Sequence, residues 1–311
     1  MSELEDVACD LCDSTRRRTL YAVGDFRLGR PEPAYRVNRC RDCRLVYVSP
    51  RPTLATLGSH YPPGYDAHRT LADEAVRRRF EAQAELVGER PGRVLDVGAA
   101  GGEFVDFLRE RGVDVRGVDP FARDDARHPL VERVALESAA LGVGAFETIT
   151  AWHVLEHLPS PRASLARLRE LLVPGGRLCL AVPNFESWRG RWLRNDDVPR
   201  HLFAFDAASL ARYAEATGFR VLAISHRAAF AGDALGRGAF TRQAYRLFGG
   251  VSLYHFHRAL ADPARSLALE HPFAAQVARV VNWFERRWLT PGRLERTGKM
   301  GVLAMVWARE G

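Results

Sequence analysis

From residue 90 onward, short apolar runs alternate with stretches of helical spacing. Residues 93–97 (RVLDV) read as a buried strand, followed by a glycine-rich turn and helical periodicity over 103–111. A second strand is predicted over 113–118, ending at Asp119-Pro120, and a third over 148–152. Helical spacing covers 162–173 and stops at Pro174-Gly175-Gly176. Residues 177–182 form the next strand, 207–217 a helix closed by Gly218, 219–225 a strand, and 301–307 (GVLAMVW) the last. Strands alternating with helices predict a doubly wound, mostly parallel α/β sheet.

Two regions depart from this rhythm. Residues 228–298 carry several helical patterns, with Val277, Val280, Val281, Phe284 and Trp288 on one face, a spacing that more often marks a packed core face than a partner site. They are expected to form a helical insertion or lid. Residues 1–50 are Cys-paired and Arg-rich with short β-like runs such as 44–49, the proline-rich stretch 50–65 reads as a linker, and 71–87 as a helix. The expected organisation is a small zinc-ribbon-like module over 1–50, a linker and helix over 51–90, a sheet domain over 91–227 with 299–311, and the insertion over 228–298.

Composition narrows the class. A chain of 311 residues with 47% hydrophobic and 27% charged residues supports one large globular domain plus a small one. No apolar run is long enough to span a bilayer, and the acidic N-terminus MSELEDVACD lacks the apolar stretch of a secretory signal, so the expected compartment is the cytoplasm. The net charge of +7 permits an anionic partner without requiring one. Oligomeric state is not legible.

Four of the five cysteines form two C-x-x-C pairs, Cys9/Cys12 and Cys40/Cys43, with 27 residues between them. Two such knuckles suit a tetrahedral, four-thiolate Zn²⁺ of structural type, with no open coordination position. The alternative is four reduced thiols in a segment of about fifty residues, which could barely stabilise itself without a metal. Cys179 lies mid-strand and reads as a small buried hydrophobe.

The stretch VLDVGAAGGEF, residues 94–104, carries the most chemistry. A buried strand ending at Asp96 leads into Gly98, Ala100, Gly101 and Gly102, then directly into a helix, so a ligand can lie against backbone N–H groups. Ala100 and Glu103 occupy two glycine positions of G-x-G-x-x-G, which weakens a dinucleotide reading. Asp119, 21 residues past Gly98 at the next strand end, can accept both hydrogen bonds of a ribose diol; alone, such an Asp is more often a turn or cap.

These residues resemble the first motif of class I S-adenosylmethionine-dependent methyltransferases of the bacterial small-molecule type. Trp152–Leu158 (WHVLEHL) is similar to the family's post-strand-four turn, PGGRLCLAVPN (174–184) to its fifth-strand motif, and 197–219 to the segment that follows. The resemblance covers about residues 90–227 and the last strand. It implies a Rossmann-like sheet whose last strand is antiparallel. It also implies S-adenosyl-L-methionine held by Asp96, Gly98, Ala100, Gly102, Asp119 and Trp152, with Glu137 near the adenine. Similar cysteine modules precede the methyltransferase domain in some bacterial sugar C-methyltransferases.

His153-x-x-Glu156-His157 also spells the inverted zinc-protease motif. That reading needs both histidines on one stable helical turn, and here a strand precedes them while Pro159 and Pro161 follow. At the carboxyl end of a parallel strand, His153 is instead a candidate general base or substrate contact. Relatives that methylate quinone precursors place an E-x-x-E-H metal site here, which implies a second divalent ion at His153, Glu156 and His157. Otherwise Glu156 and His157 would bond the loop and cap the next helix. The resemblance puts His201 near the substrate mouth; the bland alternative is a surface histidine. His153, His157 and His201 are the candidate catalytic residues.

The expected function is methyl transfer from S-adenosylmethionine to an oxygen or carbon of a small molecule such as a sugar, a quinone-like phenol or a secondary metabolite. An RNA methyltransferase gripping its substrate through the basic zinc module is disfavoured, because the turn after the fourth strand lacks an Asn/Asp-Pro-Pro-aromatic motif and few aromatics lie near the cysteines. A non-catalytic scaffold is the third reading, with Ala100 in its favour.

Overall fold

The computed structural model describes residues 3–25, 28, 30–61, 74–121, 128–187, 197–231, 280, 283–284, 287–288 and 290–311. Most of the expected lid, including Val277 and Val281, lies outside the described residues. Val280, Phe284 and Trp288 are helical but more than half or half exposed (57%, 50% and 56%), so among the described residues the expected packed face is open. Helical spacing alone does not decide whether anything covers the apolar stripe.

Five short strands precede the main sheet: β1 (Leu4–Glu5), β2 (Arg17–Asp25), β3 (Arg30–Cys40), β4 (Val46–Val48) and β5 (Arg51–Pro52). Helix α1 (Leu54–Leu57), a 3₁₀ turn at Gly58–His60 and helix α2 (Glu74–Val87) follow. The stretch expected as a linker therefore contains a strand and two short helical elements. The larger domain adds β6 (Val94–Val97), α3 (Glu103–Arg109), β7 (Val115–Val118), β8 (Val131–Glu132), β9 (Phe146–Trp152), α4 (Pro161–Leu171), β10 (Leu172–Pro183), β11 (Phe203–Ala204), α5 (Ala207–Ala216), β12 (Phe219–Ser225), α6 (Ala228–Ala231), α7 (Pro291–Arg296) and β13 (Val302–Arg309).

Seven strands form one sheet in the order β12-β13-β10-β9-β6-β7-β8. The pairs β6–β7, β6–β9, β7–β8 and β9–β10 are parallel, while β13 runs antiparallel to both β10 and β12. β10 passes straight through Pro174-Gly175-Gly176, with a register shift between Leu172 and Arg177, so the expected stop is a bulge inside the strand. β6, the first strand of this sheet along the chain, has β7 and then β8 on one side and β9 and then β10 on the other, and this reversal of strand order opens a crevice at its carboxyl end.

Side-chain alternation explains the layers. Phe104, Val105, Phe107 and Leu108 of α3 pack with Val76, Phe80 and Val87 of α2 on one face. Leu165, Leu168 and Leu171 of α4 and Leu210 and Tyr213 of α5 pack on the other. Ser160 caps α4 by accepting from the Ala163 N–H, with Pro161 in its first turn, and Asp206 and Ser209 form a reciprocal cap on α5.

The N-terminal strands make a sheet in the order β11-β4-β3-β2, so residues 203–204 extend the sheet of the cysteine segment. Cys9, Leu11, Leu45 and Tyr47 share one apolar cluster with Leu165, Leu202, Phe205 and Tyr213. Among the described residues no helix is long and apolar enough to cross a membrane.

Candidate active site

The crevice is built from three strand ends. After β6 the chain turns sharply: Gly98, Ala100 and Gly102 have φ of +73°, +50° and +90°. A Cβ at Gly98 would sit 2.3 Å from Val154 Cγ2, and one at Gly102 would sit 2.6 Å from the His128 ring, so both positions need glycine. Ala100 carries its Cβ in the left-handed region, at a cost of about 1 kcal/mol. Its N–H donates to Asp119 Oδ2 at 2.9 Å, and the Phe121 N–H donates to Oδ1 at 2.7 Å. Asp119 at the end of β7 thus fixes the glycine loop, and each carboxylate oxygen keeps a lone pair for a further donor.

Asp96 is buried beneath this turn and accepts from the Thr150 hydroxyl at 2.6 Å. Burial pushes its carboxyl up to about 7; the Thr150 bond opposes the shift and the Asp119 charge adds to it. Trp152 and Glu137, expected around the cofactor, contact Phe104 and Ser164. The Trp152 ring meets Phe104 edge-on at 5.8 Å, and its buried Nε1 has no hydrogen-bond partner among the described residues. Glu137 is exposed and accepts from Ser164 on α4 at 2.8 Å.

The end of β9 delivers the histidines. His153 adopts φ +59°, with its N–H bonded to Ala181 O at 2.8 Å, and a 3₁₀ turn Leu155–His157 follows. This is not the helical frame that a protease zinc site needs, and Ser160, not Glu156 or His157, caps the next helix. Glu156 is 1% exposed and, among the described residues, neither carboxylate oxygen accepts a well-aligned hydrogen bond. His153 Nδ1 lies 3.3 Å from Glu156 Oε1. Burial raises the Glu156 pKa, but His153, His157 and His201 together outweigh this and hold it below the usual carboxylate range. For His157, burial and then the neighbouring His201 push the pKa down to about 4, so its imidazole is neutral near pH 7. The His157 and His201 rings meet edge-on at 4.6 Å.

The structure therefore brings His153, His157 and His201 together around Glu156. Ligand atoms of Glu156, His157 and His201 lie within 4.8 Å of one another, which puts His201 where the sequence suggested His153. Three further residues that the sequence did not single out as candidates join the site. Tyr61 bonds His157 Nδ1 through its hydroxyl at 3.1 Å and stacks on Phe121 at 5.1 Å, bridging the ends of β7 and β9. Asp197 lies 3.3 Å from His201 Nε2. Arg200, fully buried, bonds Asp25, Asp197 and the His60 carbonyl.

The cysteines form a second centre. All four Sγ atoms lie within 4.8 Å of one another, with Cys9–Cys43 at 3.3 Å and Cys12–Cys40 at 3.6 Å. Each knuckle turns through a left-handed residue just after its second cysteine, Asp13 at φ +57° and Arg44 at φ +66°. Burial raises the Cys9 thiol and, to about 11, the Cys43 thiol. At Cys40 burial is outweighed by N–H donation from Cys43 and Asp42, which brings it to about 7. Cys179 is buried, as expected.

A family profile described as a methyltransferase domain matches residues 65–224, about half of the chain. The chain belongs to this methyltransferase family. A ubiquinone biosynthesis O-methyltransferase of Cronobacter sakazakii is 32% identical over 120 residues, covering 33% of this chain and 49% of that protein. Its counterpart in Xanthomonas euvesicatoria pv. vesicatoria is 35% identical over 111 residues, covering 32% and 45%. The chain spans about half the length of the relatives it matches. Among solved structures, a Burkholderia thailandensis 1,6-didemethyltoxoflavin-N1-methyltransferase aligns over 88% of this chain and 99% of that one, at 16% identity and a TM-score of 0.47. Within the matched methyltransferase domain lie the glycine loop, Asp119 and all three candidate histidines.

Proposed function

We propose that the protein transfers a methyl group from S-adenosyl-L-methionine to an oxygen or carbon of a small-molecule acceptor. The observation that carries this reading is the meeting, at one crevice, of the left-handed glycine loop anchored by Asp119 and the cluster His153, Glu156, His157 and His201. Relatives named O-methyltransferases favour oxygen.

The residues fit the cofactor. The turn at 98–102 presents backbone with little side-chain bulk to a ligand, and the open lone pairs of Asp119 suit a ribose diol. When bound, S-adenosylmethionine supplies a methyl group on a sulfonium that is already a good leaving group. The protein then needs mainly to align an acceptor and to remove its proton. Neutral His157 can accept that proton, and the buried Glu156 carboxylate would stabilise the imidazolium that results. His153 and His201 flank the same position, and Asp197 would orient His201. Tyr61 and Phe121 give an aromatic wall on which a planar acceptor can lie.

Two metal assignments belong to the same reading. The four clustered thiols support a structural Zn²⁺ at Cys9, Cys12, Cys40 and Cys43. As an alternative to proton transfer to His157, Glu156, His157 and His201 offer a carboxylate and two imidazoles to a divalent ion, which would itself acidify a bound hydroxyl. The buried oxygens of Glu156, which accept no aligned hydrogen bond among the described residues, favour that ion.

Calorimetric titration with S-adenosylhomocysteine tests the reading. One site per chain is expected, and Asp119→Ala should weaken it at least tenfold, about 1.4 kcal/mol. Absence of binding, or binding indifferent to Asp119, overturns it.

A further inference from the structure

We propose that the cysteine module braces the histidine loop 153–160, and that Asp10, inside the first C-x-x-C, is the positioning residue that does so. The proposal rests on the methyl-transfer reading only for what the loop does.

Asp10 sits between Cys9 and Cys12, so the geometry of the thiol centre fixes where its carboxylate points. Three donors from the methyltransferase domain converge on it. The Ser160 hydroxyl donates to Oδ1 at 2.6 Å, while the Arg162 N–H and the Tyr213 hydroxyl donate to Oδ2 at 2.9 Å each. Ser160 and Arg162 are the cap and first turn of α4, the helix into which the histidine loop runs. Asp10 therefore accepts one of the N–H groups that a helix start leaves unpaired and places negative charge where the helix dipole favours it. Burial, with the adjacent Asp10 carboxylate, raises the Tyr213 phenol, so it stays a donor.

The grip extends along the loop. Arg51 donates to the Pro159 carbonyl at 2.8 Å, and Arg162 pairs with both Asp13 oxygens at 3.0 and 3.1 Å. That exposed pair is worth little alone. At its other end the loop is pinned by Val154 against Gly98. The loop is thus clamped between the cofactor turn and the cysteine knuckle, and only the second clamp depends on the four thiols holding together. Loss of their metal should loosen the histidines and leave the glycine loop and Asp119 in place.

Amide hydrogen exchange on the zinc-loaded full chain reads this directly. Asp10→Ala is expected to speed exchange at least tenfold in peptides covering 154–163, with peptides covering β6 and α3 within twofold of the unaltered protein. Asp10→Asn, which keeps one acceptor oxygen, should fall between. Stripping zinc with a chelator should reproduce the Asp10→Ala pattern. If Asp10→Ala does not fold, Tyr213→Phe removes one donor and should speed the same peptides about threefold. Unchanged exchange at 154–163, acceleration spread evenly over the chain, or a zinc-free protein with a protected loop would each overturn the brace. S-adenosylhomocysteine binding by the unaltered protein, measured alongside, fails only if the methyltransferase reading is wrong, so the two failures stay distinct.

Discussion

Replacing Asp96 by Asn should alter how stability depends on pH. Asp96 is 3% exposed, and its carboxyl is raised from about 3.8 to about 7 by burial, with Asp119 adding to the shift. The sign follows from linkage. A carboxyl whose folded pKa lies above its unfolded one contributes stability that is complete below about pH 3.8 and is lost as pH rises through about 7. A shift of about three units corresponds to about 4 kcal/mol over that span. Asn cannot ionise, so its variant escapes this loss while keeping the Thr150 hydroxyl as a neighbour. Urea unfolding at intervals between about pH 5 and pH 8 measures both proteins, and subtracting the curves removes every other titrating group. The stability of Asp96→Asn relative to the unaltered protein should climb by about 1.4 kcal/mol per pH unit up to about pH 7 and then level off. Parallel curves would refute the reasoning and mean that Asp96 is ionised and solvated in the folded state.

Other perturbations probe the same architecture. Gly98→Ala should abolish detectable S-adenosylhomocysteine binding, because its Cβ meets Val154 at 2.3 Å in a left-handed turn; calorimetry of this variant and of Gly98→Ala with Val154→Ala, which should recover part of the affinity, checks it. Ala100→Gly relieves a positive φ and should raise the midpoint of thermal unfolding by an amount equivalent to about 1 kcal/mol without loss of cofactor affinity. Arg200→Ala leaves Asp25 and Asp197 without their buried partner and should cost about 3–5 kcal/mol in urea unfolding. Zinc analysis of the purified protein should find one ion per chain bound by the four cysteines, and Cys9→Ser should remove it.

What the sequence revealed tracks how local each signal is. The strand–turn–helix at 94–104, the Asp ending β7 and the two C-x-x-C knuckles are contiguous patterns, and the structure places them as strand end, crevice and four-thiol cluster. Tyr61 lay in a proline-rich stretch with no periodicity, and only the fold carries it across to His157 and Phe121. Asp25, Arg200 and Asp197 were equally silent: their partners lie up to 175 residues apart, and a buried ion network has no spacing rule. The reading of 203–204 as part of the sheet domain missed their pairing with β4, because a two-residue edge strand leaves almost no pattern. Val280, Phe284 and Trp288 show the opposite problem, a clear stripe that the described residues leave exposed.

In the proposed function, one crevice at the carboxyl ends of β6, β7 and β9 holds the methyl donor facing the histidine cluster. A crystal structure with S-adenosylhomocysteine bound tests it most directly. The ribose hydroxyls should lie on Asp119, the methionine part along Gly98–Gly102, and the sulfur should face the space between His153, His157 and His201. A nucleoside bound elsewhere, or a sulfur turned away from those three histidines, would contradict it.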